Sequence, residues 1–362
     1  MSLLMDEARA RLARTWEGGE PPRSLAIAAS GYRGLLQARD WLYRRRILES
    51  RALPCGVVSI GNLTLGGTGK TPAVVCAVET LKELGARPAV ISRGYGRRSR
   101  GLHVVADGDA VRAGADEAGD EPLLVARRLP GTPVLVSKNR YEAARHALTR
   151  LGATTIVLDD GFQHRSLVKH AEIVLARAEN PWGNGRLFPA GPLREPLDSL
   201  GRATLIVATG PRRSDSISEV EAARDRWAPG VPIVHAAHEP YRSLDVQRGE
   251  TEPARVLAAK RLVGFAGIAY PEAFRRTLAQ LGVEVVDFQG FADHYRYRRR
   301  DIADLTARLR HARAEALVTT EKDWMRLGER FNRTIPLYVL SIRTVLGSGE
   351  ELWRDILRQV SR

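Results

Sequence analysis

The sequence predicts an α/β fold of two α/β/α domains, the first larger and built on a mainly parallel sheet, the second smaller. Two observations carry this. From Cys55 onward short β-rich runs alternate with helical patterns, an order that lays strands side by side with helices on both faces. A glycine-rich loop joins the first strand to the first helix, which marks the first domain as a variant phosphate-loop (P-loop), nucleotide-binding unit.

Gly56-Val57-Val58-Ser59-Ile60 reads as a buried strand, and Thr71–Leu84 as a helix stopped by Gly85. Strands follow at Pro88–Ser92, Pro133–Val136, Thr155–Leu158, Ile173–Ala176 and Thr204–Ala208, with a helix from about Asn139 to Leu151. The polar stretch Ser214–Glu252 holds Pro229, Pro232 and Pro240 and reads as a connector. A second unit comprises strand Leu262–Phe265, helix Pro271–Leu281, strand Val283–Asp287, a helix near Asp301–His311, and strands Ala316–Thr319 and Leu337–Leu340. The division expected is residues 1–50 as an N-terminal segment, 51–240 as the core domain and 241–362 as the smaller α/β domain.

Composition narrows the function. Of 362 residues, 56 are Lys or Arg against 42 Asp or Glu, a net charge of +14 that implies an anionic partner. Aromatics are only 6% and no nucleic-acid module is recognisable, so nucleic acid is not the expected partner. Two cysteines, Cys55 and Cys76, are too few for a disulfide framework or a zinc cage and fit a reduced compartment. No stretch approaches eighteen apolar residues, and the first thirty lack the apolar core of a cleavable signal. Between Arg23 and Arg46, six arginines face one acid, Asp40, among Leu25, Ile27, Tyr32, Leu35, Leu36, Trp41, Leu42 and Tyr43. Such a basic, aromatic-bearing helix suits an anionic membrane surface, and equally suits packing on the first domain.

The loop reads Gly61-Asn62-Leu63-Thr64-Leu65-Gly66-Gly67-Thr68-Gly69-Lys70-Thr71, with Thr64 where the strict pattern has Gly. Gly66, Gly67, Thr68 and Gly69 let backbone N–H groups curl around phosphate oxygens, Lys70 brings charge to the β/γ-phosphates, and the Thr71 hydroxyl suits Mg²⁺. The strand Thr155–Leu158 runs into Asp159-Asp160-Gly161, where carboxylates reach the same metal directly or through water. Asp120 and Glu121 precede a helix around Leu123–Arg128, as caps or as site residues. Arg186 and Arg194 lie in a Gly/Pro-rich loop, Asn180–Glu195, suited to a phosphorylated sugar because guanidinium binds phosphate in a planar fork. Arg93 and Tyr95, at a strand end, face nucleotide or sugar. Glu321 and Lys322 touch nucleotide or brace the domain junction.

Taken together these stretches resemble the tetraacyldisaccharide 4'-kinases, the lipid A 4'-kinases. The matching runs include Gly66–Pro72, Ser92–Gly96, Gly119–Pro122, Leu158–His164, Asn180–Arg186, Pro189–Pro196, Phe265–Ala269, Asp293–Tyr295 and Thr320–Asp323, in the family's order. The resemblance implies two α/β/α domains with the site between them, and transfer of the ATP γ-phosphoryl group to the 4'-hydroxyl of tetraacyldisaccharide 1-phosphate, giving lipid IVA. It implies ATP and Mg²⁺ as cofactors and work as a peripheral protein at the cytoplasmic face of the bacterial inner membrane, with no obligate protein partner. It also implies site roles. Lys70 and the loop amides hold phosphate, while Thr71, Asp159 and Asp160 organise Mg²⁺. Asp120 serves as base with His294 as its partner. The residues expected to receive substrate are Arg93, Asn184, Arg186 and Arg194. The alternative is a deviant P-loop ATPase switch acting on a protein partner.

Overall fold

The structure, a computed structural model, describes residues 15–210, 217–328 and 331–361. Part of the expected N-terminal segment, residues 1–14, lies outside them, as do residues 214–216 of the expected connector.

Both expected α/β units are present, as two wings of one continuous sheet. The first wing holds β1 (Gly56–Asn62), β2 (Pro88–Ser92), β3 (His103–Asp107), β4 (Pro133–Val136), β5 (Thr155–Asp159), β6 (Ala171–Arg177) and β7 (Leu205–Thr209). The second holds β10 (Arg261–Ala266), β11 (Glu284–Gly290) and β12 (Ala316–Thr320). Between them lie β8 (Ile233–Asp245) and β13 (Leu337–Leu346), while β9 (Glu250–Pro253) pairs only with β8. The order is β11-β10-β12-β13-β8-β7-β6-β1-β5-β2-β4-β3. Pairing is parallel except for β3 on β4, β9 on β8, and β13 on β8.

The helices are α1 (Arg23–Arg44), α2 (Lys70–Glu83), α3 (Ala115–Ala118), α4 (Asp120–Arg128), α5 (Arg140–Arg150), α6 (Ser218–Trp227), α7 (Pro271–Gln280), α8 (Arg299–His311), α9 (Glu321–Leu327) and α10 (Glu350–Ser361). Strands buried on both faces have near-continuous apolar runs, and their alternate residues serve opposite layers. In β1, Val58 and Ile60 pack with Val74, Val78 and Leu81 of α2, while Val57 joins Ala143, Ala144 and Ala147 of α5. In β10, Val263 and Phe265 meet Leu305 and Leu309 of α8, while Leu262 meets Phe274 and Leu278 of α7.

The connector reading of Ser214–Glu252 is overturned. Its described part contains α6 and the longest strand, β8, whose first residues run parallel to β7 and whose remainder runs antiparallel to β13. The prolines misled because they mark edges and irregularities. Pro232 precedes the strand, and Pro240 stands opposite Ile342 where the β8–β13 register shifts.

The chain also returns to its start. Trp353, Ile356, Leu357 and Val360 of α10 join the first wing's core, and the Trp353 indole donates to Thr80 Oγ1 at 3.2 Å. Contact with β1 is close enough that a Cβ on Gly56 would lie 1.7 Å from the Val360 carbonyl oxygen. Trp353→Ala should therefore cost about 3–5 kcal/mol in equilibrium urea unfolding, the range for removing a large buried aromatic. A loss below about 1 kcal/mol would place α10 outside the cooperative core.

Candidate active site

Strand β1 delivers Asn62 to its tip, and the loop re-enters helix at Lys70 through Gly69, whose φ of 81° is left-handed. Asn62 is fully buried and holds both ends of this turn: its amide donates to the Thr64 carbonyl at 2.7 Å, and its Oδ1 accepts from Lys70 Nζ at 3.1 Å. The segment Pro189–Glu195 braces the rising arm, with Leu65 N donating to the Pro192 carbonyl and Arg194 N to the Leu63 carbonyl, both at 2.7 Å. Gly66 and Gly67 face the second wing, within reach of Tyr270 and Ala269.

Parallel pairing of Ile60 with Asp159 sets the β5 tip beside the loop. Asp159 is buried and accepts from Ser92 Oγ at 3.0 Å. Burial, with Glu121 and Asp160 nearby, pushes its pKa up to about 6 against the pull of Lys70. Burial also opposes ionisation of Asp160, but Lys70 and Arg194 outweigh it and hold its pKa low. Arg194 Nη1 reaches both Asp160 oxygens, at 2.9 and 2.7 Å, and Lys70 Nζ lies 3.5 Å from Oδ1. Glu121 is paired with Lys322, whose charge holds the Glu121 pKa down.

Asp120 opens α4, after Gly119. Its Oδ2 lies 3.2 Å from His294 Nδ1 and accepts from Arg326 Nε at 2.7 Å. Burial would raise the Asp120 pKa, but the His294 hydrogen bond and the Arg326 charge hold it well below the usual carboxylate range. The same hydrogen bond raises the His294 pKa. Arg326 is itself fixed by the Gly267 carbonyl at 2.6 Å, and the Gly267 turn is tied to buried Asp323 at 3.0 Å. The two wings thus meet in hydrogen-bonding contact at this carboxylate. The glycine-rich loop, the acidic strand tip and the carboxylate–imidazole pair are neighbours, with Glu121 close enough to feel the charges of Lys70, Asp120 and Asp159.

The family model described as Tetraacyldisaccharide-1-P 4'-kinase (LpxK) matches residues 22–361. The chain belongs to this family. A tetraacyldisaccharide 4'-kinase of Syntrophus aciditrophicus is 40% identical over 350 residues, covering 92% of this chain and 94% of that protein. One from Anaeromyxobacter sp. (strain Fw109-5) is 41% identical over 328 residues, covering 90% and 88%. The crystal structure of Aquifex aeolicus LpxK in complex with ATP is 30% identical, covers 94% of this chain and 99% of that one, and superposes with a TM-score of 0.74. Membership makes the chain a 4'-kinase, and nothing found favours the switch-ATPase alternative.

Within this 4'-kinase the expected site residues are partly gathered. Lys70, Asp159 and Asp160 converge with the loop, and Asp120 meets His294. Arg194 is present too, but it is committed to Asp160. The Asn184 amide donates to the carbonyls of Thr15 (3.0 Å) and Ala190 (2.9 Å), and its Oδ1 accepts from Arg186 N. That shapes the loop. The Arg186 side chain is exposed and lines a groove of about 360 Å³ with Arg33 and Ser30 of α1. Arg93 is exposed, close enough for its charge to bear on Arg140 and His164. Tyr95 stands 5.8 Å from the His294 ring, centroid to centroid. Glu321 lies 3.5 Å from Arg128, and Lys322 pairs with Glu121, so both brace the wings.

Arg326 was missed. It lies one helical turn beyond Asp323, and its only sequence signal is that i+3 spacing on a short helix. An aspartate with a depressed pKa contributes stability above the ordinary carboxylate range and loses it as pH falls through the folded value. Removing Arg326 raises that value. In Arg326→Met, a carboxyl-carbon NMR titration should show Asp120 titrating at higher pH than in the parent, and the variant should lose about 3–5 kcal/mol, as for breaking a buried pair. An unchanged Asp120 titration would contradict the assignment.

Proposed function

We propose that this chain transfers the γ-phosphoryl group of ATP to the 4'-hydroxyl of tetraacyldisaccharide 1-phosphate, giving lipid IVA, with Asp120 receiving the hydroxyl. The observation that carries the residue assignment is the Asp120–His294–Arg326 contact, made between wings beside the phosphate loop. Residues 51–240 supply the loop, Asp120 and the acidic tip. Residues 241–362 supply His294 and Arg326.

Phosphoryl transfer passes through a loose transition state in which positioning and charge neutralisation dominate. Lys70 supplies charge to the β/γ-phosphates. His294 and Arg326 both use Oδ2 of Asp120, which leaves Oδ1 for the acceptor hydroxyl. A strongly acidic Asp120 is a weak base, but in a loose transition state the proton leaves late, so its first task is orientation. His294 and Arg326 fix the plane of the carboxylate for that task.

The residues fit Mg²⁺. The donors are hard oxygens, and Asp159 is buried beside two other acids with its pKa raised, an environment a cation relieves. Thr71 and Asp159 would hold the ion. Asp160 is already engaged by Arg194 and Lys70. The metal would neutralise charge on the phosphates.

The acceptor lipid must be met at a surface. Among the described residues no helix is long and apolar enough to cross a membrane. Helix α1 packs through Ala29 and Leu36 and is pinned by Tyr32 Oη to the Arg194 carbonyl at 2.8 Å and by Arg39 to Glu195. Ile27, Leu35 and Trp41, with Ile47 and Leu48 after it, remain exposed. The helix therefore packs on the first wing, and we assign its exposed apolar and arginine side chains to the anionic cytoplasmic leaflet of the inner membrane. Arg186 and Arg33 would receive the anionic disaccharide.

The reading is tested with ATP, Mg²⁺ and tetraacyldisaccharide 1-phosphate. Mass spectrometry should show one added phosphate on the lipid, absent with Lys70→Ala. ATP hydrolysis without phosphorylated lipid would reject the reading. Asp120→Ala and His294→Ala should each lower kcat roughly 10²–10⁴-fold. Their combination should cost little more than the worse single change, because the pair acts as a unit. A loss equal to the product of the singles would separate their roles. Ile27→Asp combined with Leu35→Asp should reduce flotation with anionic vesicles while leaving ATP affinity intact, and unchanged flotation would remove α1 from the membrane.

A further inference from the structure

One buried imidazole outside the Asp120 cluster touches the phosphate loop. His238 lies on β8, opposite Thr344 of β13. A Cβ built on Gly69 would lie 1.8 Å from His238 Nε2, so the ring packs directly on the glycine where the loop turns into α2. Gly69 is thus demanded twice, by its left-handed φ and by this ring. Thr344 Oγ1 lies 3.4 Å from Nδ1, and a hydroxyl donating there leaves the ring proton on Nε2. Burial drives the His238 pKa down to about 4, so the ring is neutral, and the Thr68 main chain pulls the other way by favouring a ring proton. Only an acceptor can do that, so the Thr68 carbonyl lies close to the ring, although it makes no hydrogen bond with Nε2 in the structure.

The carbonyl is approached from a second side. Thr209, at the tip of β7, has its Oγ1 3.4 Å from that carbonyl and 3.3 Å from the Ala176 carbonyl, between which it shares its one proton, and Thr209 pairs with Ala236, two residues before His238. Adjacent strands therefore turn two side chains toward one peptide. A trans peptide holds its C=O and N–H on opposite sides of one plane. Turning the Thr68 carbonyl to the sheet turns the Gly69 N–H away from it. His238 Nε2 and Thr68 Oγ1 are both buried without a hydrogen-bond partner among the described residues. Unpaired polar atoms are costly in a dry site, and a small movement of the Thr68 carbonyl onto Nε2 satisfies one of them.

We propose that His238 is a positioning residue for the phosphate loop: its Nε2–H holds the Thr68–Gly69 peptide so that the Gly69 N–H is presented to the nucleotide phosphates. This rests on the reading of the loop as the ATP site. Full-length protein and the variants His238→Gln, His238→Phe and His238→Ala are compared by calorimetric titration with ATP and Mg²⁺ in the absence of lipid, then by KM for ATP and for the acceptor. Gln carries an N–H at a reach close to that of Nε2. Phe keeps the ring and lacks the donor. Ala and Phe should weaken ATP binding about tenfold, as for loss of a hydrogen bond that positions a charged group, and Gln should stay within about threefold of the parent. KM for ATP should follow, with KM for the acceptor unchanged. ATP binding by the Phe variant equal to the parent, or equal losses for Gln and Ala, would overturn the proposal while the ATP site stands. No ATP binding by the parent protein would overturn both.

Discussion

Three carboxylates, Glu121, Asp159 and Asp160, are crowded around one ammonium, that of Lys70, at the carboxyl ends of the central strands. Buried charge of one sign is tolerated only when opposite charge is brought to it in good geometry. Here the compensating cations come from distant parts of the chain: Arg194 from the loop after β6, and Lys322 from the helix after β12. Asp159 remains the least compensated of the three, and it is the carboxyl whose pKa rises.

Electrostatic closure needs a mechanical counterpart, and β8 with β13 supplies it. Both strands belong to both wings, so the position of His294 and Arg326 relative to the phosphate loop is set by a continuous hydrogen-bonded ladder. His238 and Thr344 lie on that same ladder. The joint between the wings and the glycine-rich loop are therefore in direct contact.

Much of this was readable from the chain, for identifiable reasons. Lys70, Asp159 and the strand–loop–helix order could be read because backbone chemistry at a phosphate loop constrains residue type and spacing. The Asp120–His294 pairing came through family resemblance alone, since 174 residues separate the partners and no local pattern links them. Strand β8 was hidden because its residues are only half-buried over much of its length, so neither an apolar run nor a clean alternation marks it. Sequence did not show the contacts that Arg194 and Asn184 make within the chain: one guanidinium pairs with the Asp160 carboxylate and one amide donates to backbone carbonyls. Local sequence shows that such side chains are capable donors, but it does not show which acceptor the tertiary fold brings near.

The return of α10 to the first wing has a consequence for biosynthesis. Trp353 and its neighbours complete a core whose other buried members precede residue 240, apart from Met325, with Trp324 and Leu346 packed at its margin. During synthesis the nucleotide-binding wing emerges from the ribosome with that surface bare, and it stays bare until the whole second wing has followed. The nascent chain cannot finish one half before the other. Its assembly is a single late event, and a partly made polypeptide presents to chaperones the same apolar face that α10 finally covers.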